Sequence, residues 1–161
     1  MKVLLFLLLF NPLWAMDLPF EQKDLKLVGK ALLEYSIFGF DVYEISYFTS
    51  SNGQNAVLVL DYKRDLKKEY SIKGWEVGFE KNIQRKEYYK ESINWLKENT
   101  PEVKEGDKLI IYRGPNLVRI YKNKELLAEK KDNKTSEIVF RPWLGQYPVD
   151  EDVKKALLGN K

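Results

Sequence analysis

The chain has 161 residues, enough for one domain with a real core, and it is 44% hydrophobic and 32% charged, the composition of a folded protein. Its net charge of +3 comes from 27 basic and 24 acidic side chains spread along the sequence, without the basic stripe that a nucleic-acid binder carries. There is no His and no Cys, which excludes thiolate and imidazole zinc sites, Ser-His-Asp and Cys-His catalysis, and any disulfide.

The N-terminus opens with Lys2, an uninterrupted apolar run over residues 3–10, the breakers Asn11 and Pro12, and the small Ala15. This is the pattern of a secretory signal peptide, and the run is too short to span a bilayer comfortably. The expectation is a leader over residues 1–15, a mature domain over 16–161 beginning at Met16, and a periplasmic or secreted protein. No later stretch reaches transmembrane length.

Residues 25–38 alternate apolar and polar as a half-buried strand does, and Gly39 punctuates them. A second strand is predicted over 40–48, followed by an Asn52-Gly53 turn. Residues 56–62 are almost continuously apolar, which predicts a central strand covered on both faces. Ile72, Trp75, Phe79 and Ile83 recur three and four apart, so a helix is predicted over 65–84. Gly74 and Gly78 weaken it but permit close packing. A second helix over 87–97 presents Tyr89, Ile93 and Leu96, and Thr100-Pro101 ends it.

Strands over 108–113, 117–122 and 126–129 follow as an antiparallel meander. Asn133 or Thr135 can cap a helix holding Ile138, Val139, Phe140 and Trp143, with Pro142 forcing a kink or an early end. Asp150, Glu151 and Asp152 open a last helix, and Gly159 closes it. Strands, helices, strands, then helices predict an α+β domain, with an antiparallel sheet and helices on one face.

Several segments together resemble the bacterial chalcone-isomerase-like family of exported proteins. They are residues 27–32 leading to Gly39–Tyr43, then 58–65, then Trp95-Leu96 with 101–107, then 121–126, and finally Trp143-Leu144-Gly145 with 156–159. The resemblance implies an open-faced β-sandwich, a large antiparallel sheet backed by helices, with a ligand cleft between the layers. In that family, plant members isomerise chalcones through an arginine and a threonine, and fatty-acid-binding relatives hold a carboxylate with Arg and Tyr. Matched onto this chain, the arginine position falls at Ala31 and the threonine position near Tyr43, so neither residue type is kept. A methyl group cannot supply the donor fork of a guanidinium.

Candidate ligand-binding residues are Arg64, Tyr62, Tyr43, Arg141 and Trp143. Arg64 either anchors an anionic head at the cleft rim or pairs with Asp61 or Asp65. Tyr62 and Tyr43 either donate phenolic hydrogen bonds into the cleft or are core residues with a wet edge. Arg141 either brings charge to the pocket or is a solvated helix residue. Trp75, Phe79, Trp95 and Trp143 either wall a lipid-sized pocket or form ordinary core. Asp150 to Asp152 lack EF-hand spacing, and helix capping accounts for them.

The leading expectation is a non-catalytic binder of an apolar, carboxylate-bearing ligand such as a fatty acid. It needs no cofactor, no metal and no nucleic acid. The alternatives are an isomerase or lyase acting on an enone-like molecule, and a structural or partner-binding protein of the cell envelope.

Overall fold

The computed structural model describes residues 18–20, 24–35 and 40–160. The expected leader, Met16 and Gly39 lie outside the described residues.

Six strands form one sheet in the order β1-β2-β3-β4-β5-β6: β1 Leu25–Tyr35, β2 Phe40–Ser50, β3 Ala56–Tyr62, β4 Lys108–Gly114, β5 Leu117–Lys122 and β6 Glu125–Lys130. Every neighbouring pair is antiparallel. β3 sits inside the sheet, and Ala56 to Leu60 are each at most 2% exposed. Its unbroken apolar run reflects cover on both faces.

Two helices interrupt the meander between β3 and β4: α1 Lys68–Asn82 and α2 Lys86–Glu98. α1 starts three residues later than the periodicity predicts. Leu66 exchanges both backbone hydrogen bonds with Val103 (2.9 and 3.1 Å), which holds the chain extended up to Lys67. Three short helices follow β6: α3 Asn133–Ile138, α4 Arg141–Leu144 and α5 Glu151–Leu157.

The interruption expected from Pro142 divides the segment into two helices, and Pro142 stands in the first turn of the second, where a missing N–H costs nothing. The cap of α3 is Asp132, not Asn133 or Thr135: its carboxylate accepts from Thr135 N and Thr135 Oγ1 at 2.8 and 2.6 Å. Asp150 caps α5 by accepting from Asp152 N and Val153 N at 2.8 and 2.9 Å, so the acidic triplet is spent on a helix start.

Period-two geometry divides the apolar residues between the two sheet faces. Ile45, Leu58, Leu60, Ile111 and Ile120 face the helix layer and form the main core with Trp75, Phe79, Leu96, Ile138 and Leu157. Phe48, Val57, Val59, Ile110 and Tyr121 belong to a second, smaller cluster with Leu18, Leu25 and the half-buried Phe20. Phe20 stacks its ring edge 5.4 Å from Tyr112 and lies 5.5 Å from Tyr121. Helices thus cover one face, as the element order predicts, and the segment Leu18–Phe20 lies against the other.

α5 docks against β1 because Gly29 has no side chain: a Cβ there would fall 2.0 Å from the Ala156 carbonyl oxygen. Among the described residues, no helix is long and apolar enough to cross a membrane.

Candidate functional site: an aromatic chamber between sheet and helices

Three of the five residues singled out from the sequence meet between the sheet and α1. Tyr43 on β2 and Tyr62 on β3 are register partners, so their side chains leave the same face of the sheet. Their rings pack edge to face at 5.3 Å. Trp143 reaches down from α4, and its Nε1–H donates to Tyr43 Oη at 2.8 Å. α1 closes the group from above: Trp75 stacks on Phe79 at 5.3 Å and meets Trp143 edge-on at 5.2 Å. Trp75 Nε1–H donates to Thr100 Oγ1 at 2.9 Å, and Thr100 passes its own proton to the Leu96 carbonyl at 2.7 Å.

All five rings are at most 8% exposed. The space where the sequence reading expects a cleft is occupied by rings in this conformation. Two open surface concavities, of about 660 Å³ between α2 and residues 130–134 and about 480 Å³ beside Tyr147, are lined by none of these rings.

The chamber's polar groups are hydroxyls. Burial pushes the Tyr43 phenol far above its ordinary range, the neighbouring Tyr62 raises it further, and the indole hydrogen bond offsets only part of this. Burial likewise pushes Tyr62 up to about 12, with the adjacent Ser71 hydroxyl acting weakly the other way. Ser71 lies one helical turn before Trp75 on α1, and its Oγ is buried without a well-formed hydrogen bond. Among the described residues, the buried polar side chains are serines and threonines, with no Lys, Arg, Asp or Glu. Both phenols stay protonated at neutral pH, so each keeps a proton to donate and neither serves as a base.

The two arginines lie on other segments, one after β3 and one at the start of α4. Arg64 lies half-buried in the bend after β3. Arg141 opens α4, donates to the Asn82 carbonyl at 3.3 Å and holds its guanidinium 5.5 Å from the Tyr89 ring. Trp95, another possible pocket wall, is on α2 with the Lys130 ammonium 5.8 Å from its ring centre. Ala31 packs against the main core, so the position matched to the plant arginine contributes a methyl group to apolar packing.

Sequence reasoning missed Ser71 and Thr100. Ser71 carried a usable signal, since it precedes Trp75 by four residues on the stripe the periodicity identifies. Thr100 carried none beyond its place before Pro101; its bond to Trp75 joins residues 25 apart.

A single antiparallel sheet with its helices on one face, and aromatic rings between the layers, defines an open-faced α+β sandwich. The chain belongs to the chalcone isomerase-like family, whose sequence model matches residues 14–159. Among solved structures it is similar to a fatty-acid binding protein of Arabidopsis thaliana, with a TM-score of 0.67, 11% identity, and coverage of 84% of this chain and 87% of that one. At that identity the likeness is one of fold. A search of curated proteins finds no match to the sequence.

Proposed function

We propose that this protein is a non-catalytic binder of an apolar small molecule such as an acyl chain, working outside the cytoplasm after loss of the leader over residues 1–15. The observation that carries this reading is the chamber itself: Tyr43, Tyr62, Trp75, Phe79 and Trp143 gather between sheet and helices around buried hydroxyls. A large apolar contact surface with a few placed polar groups is the general form of a small-molecule site. Binding would be driven by removal of apolar surface from water. The similar plant structure, a fatty-acid binding protein, supports the choice of ligand class.

Two features support binding over catalysis. Among the described residues, no carboxylate or cation is buried with the rings, and both phenols are held protonated. The position matched to the plant arginine is Ala31. A general base or a charged oxyanion clamp therefore has no residue to supply it there.

The rings fill the chamber without ligand, so a bound tail takes the place of at least one of them. The piece that would have to give way is α4, four residues long, which carries Trp143 and is seated on α1 through Pro142 and Gly78. The polar head has two candidate anchors: Arg64 after β3, and the hydroxyls of Tyr43, Tyr62 and Ser71.

The test is native mass spectrometry of the mature protein purified without detergent, followed by titration with fatty acids, fatty esters and aromatic ketones while tryptophan fluorescence is read. Co-purified lipid, or saturable quenching, is the expected result. An empty protein that binds nothing in the panel would sink the reading. The closed ring packing would then favour the second reading, a structural or partner-binding protein of the envelope with a permanently filled core.

A further inference from the structure

We infer that the ligand's polar group is a neutral hydrogen-bond acceptor, such as an ester, ketone or ether oxygen, and not a carboxylate. The inference rests on the binding reading and concerns the same chamber. Three observations of geometry carry it.

First, the hydroxyl set is incomplete. Tyr43 Oη accepts the Trp143 indole proton at 2.8 Å, and among the described residues it has no acceptor for its own proton. The Tyr62 hydroxyl faces Ser71 Oγ, yet Ser71 Oγ is buried without a hydrogen bond of normal geometry. Buried hydroxyls left unsatisfied are uncommon and costly. An acceptor oxygen placed beside Ser71 Oγ satisfies that hydroxyl, and Tyr43 has a proton left to donate.

Second, the two phenols are adjacent. Their ring centres are 5.3 Å apart, and they project from opposed positions on β2 and β3. They present donors from one side of the chamber, with Ser71 on α1 opposite.

Third, no compensating cation is buried there. Among the described residues, every Lys and Arg is at least partly exposed. An ionised carboxylate drawn in among the rings leaves water without meeting a buried counter-charge, a transfer that costs several kcal/mol. The phenols report the same environment: the burial that holds their protons on also works against any other anion placed beside them. A neutral carbonyl escapes this penalty and still uses the donors.

The experiment compares decanoic acid with methyl decanoate on the mature protein, reading tryptophan fluorescence at neutral pH and again at acidic pH. The expected result is that the ester binds at least about tenfold tighter than the acid at neutral pH, a difference of about 1.4 kcal/mol. The acid's affinity is expected to rise as pH falls and its carboxyl protonates, while the ester's stays level. Tyr62→Phe and Ser71→Ala are each expected to weaken ester binding by roughly fivefold, one hydrogen bond's worth. Thermal melts of these conservative variants show whether they are folded, and the wild-type comparison does not depend on them. Acid binding equal to or tighter than ester binding at neutral pH overturns this inference alone. Failure of both ligands, with failure of the wider panel, overturns the binding reading and this inference with it.

Discussion

Tyr43 illustrates how a residue with two plausible roles from sequence is placed by its neighbours. Its phenol closes a hydrogen bond with Trp143 across 100 residues of chain, in a setting shielded from water. Replacing Tyr43 by Phe leaves the Trp143 N–H buried without a partner, which costs about 1–3 kcal/mol. The expected outcome is a lower urea midpoint with an unchanged slope. An unaltered midpoint would show that the indole finds water or another acceptor.

Asp107 makes a pH prediction at the same scale. Burial alone would raise its carboxyl, but hydrogen bonds from Asn123 Nδ2, Lys104 N and Lys122 Nζ, with the Lys122 charge, outweigh it and hold the group at about 2 against an ordinary 3.8. The folded state therefore binds the proton less readily than the unfolded state does. The stabilisation is fully present above the ordinary value and is lost as pH falls toward 2. The stability gap between wild type and Asp107→Asn is expected to be constant near neutrality and to close between those two values, as followed by denaturant melts at stepped pH.

The helices make their predictions through two glycines of α1 that sequence alone cannot tell apart. A Cβ on Gly78 would sit 2.5 Å from Pro142 Cβ, while a Cβ on Gly74 meets nothing within 4 Å. Gly74→Ala should stabilise by about 0.5–1 kcal/mol through helix propensity and the restricted unfolded chain. Gly78→Ala should destabilise despite the same propensity gain, because α4 must move off α1. Thermal melts of the pair decide it; equal shifts would mean that α4 is not firmly seated.

The elements were legible where their periodicity was uninterrupted. β3 announces itself by Ala56 to Leu60 being apolar without a break, and β4 and β5 by short apolar runs on either side of the Gly114-Pro115 turn. The start of α1 was not legible, because Leu66 fits a helical stripe as well as a bridge and only Val103 decides between them. The interruption between α3 and α4 was legible in outline from Pro142, but not its place at Val139 and Phe140 or the identity of the cap. Asp132 takes the cap because one of its oxygens, Oδ2, accepts from Thr135 N and Thr135 Oγ1 and also from Ser92 Oγ on α2 at 3.1 Å.

At the scale of the whole molecule, the sheet needs cover on both faces, and the chain uses different means for each. Helices cover one. On the other, Leu18 and Phe20 lie against Tyr112, Tyr121 and their neighbours. Phe20→Ala is expected to cost about 1–2 kcal/mol, less than for a fully buried ring because Phe20 is half-buried. Removal of residues 16–20 is expected to raise binding of an apolar dye as well. A truncated protein with wild-type stability and no added dye binding would show that this face needs no such cover. The charges at the far end of the same face explain why the apolar cover stops: Lys30 with Glu44, and Lys108 with Asp61, lie across neighbouring strands at 3.7 Å.

By itself the sequence determined the antiparallel α+β layout, the buried central strand, the apolar stripe of α1 and the absence of imidazole and thiol chemistry. These follow from local periodicity and composition, which need no knowledge of distant contacts. Only the tertiary structure decided that Tyr43, Tyr62 and Trp143 share one chamber with Ser71, that its rings close on one another, and that no cation is buried among the described residues. Those facts depend on which faces of remote segments meet and on how the space between them is filled, and neither is written in the spacing of residues along the chain.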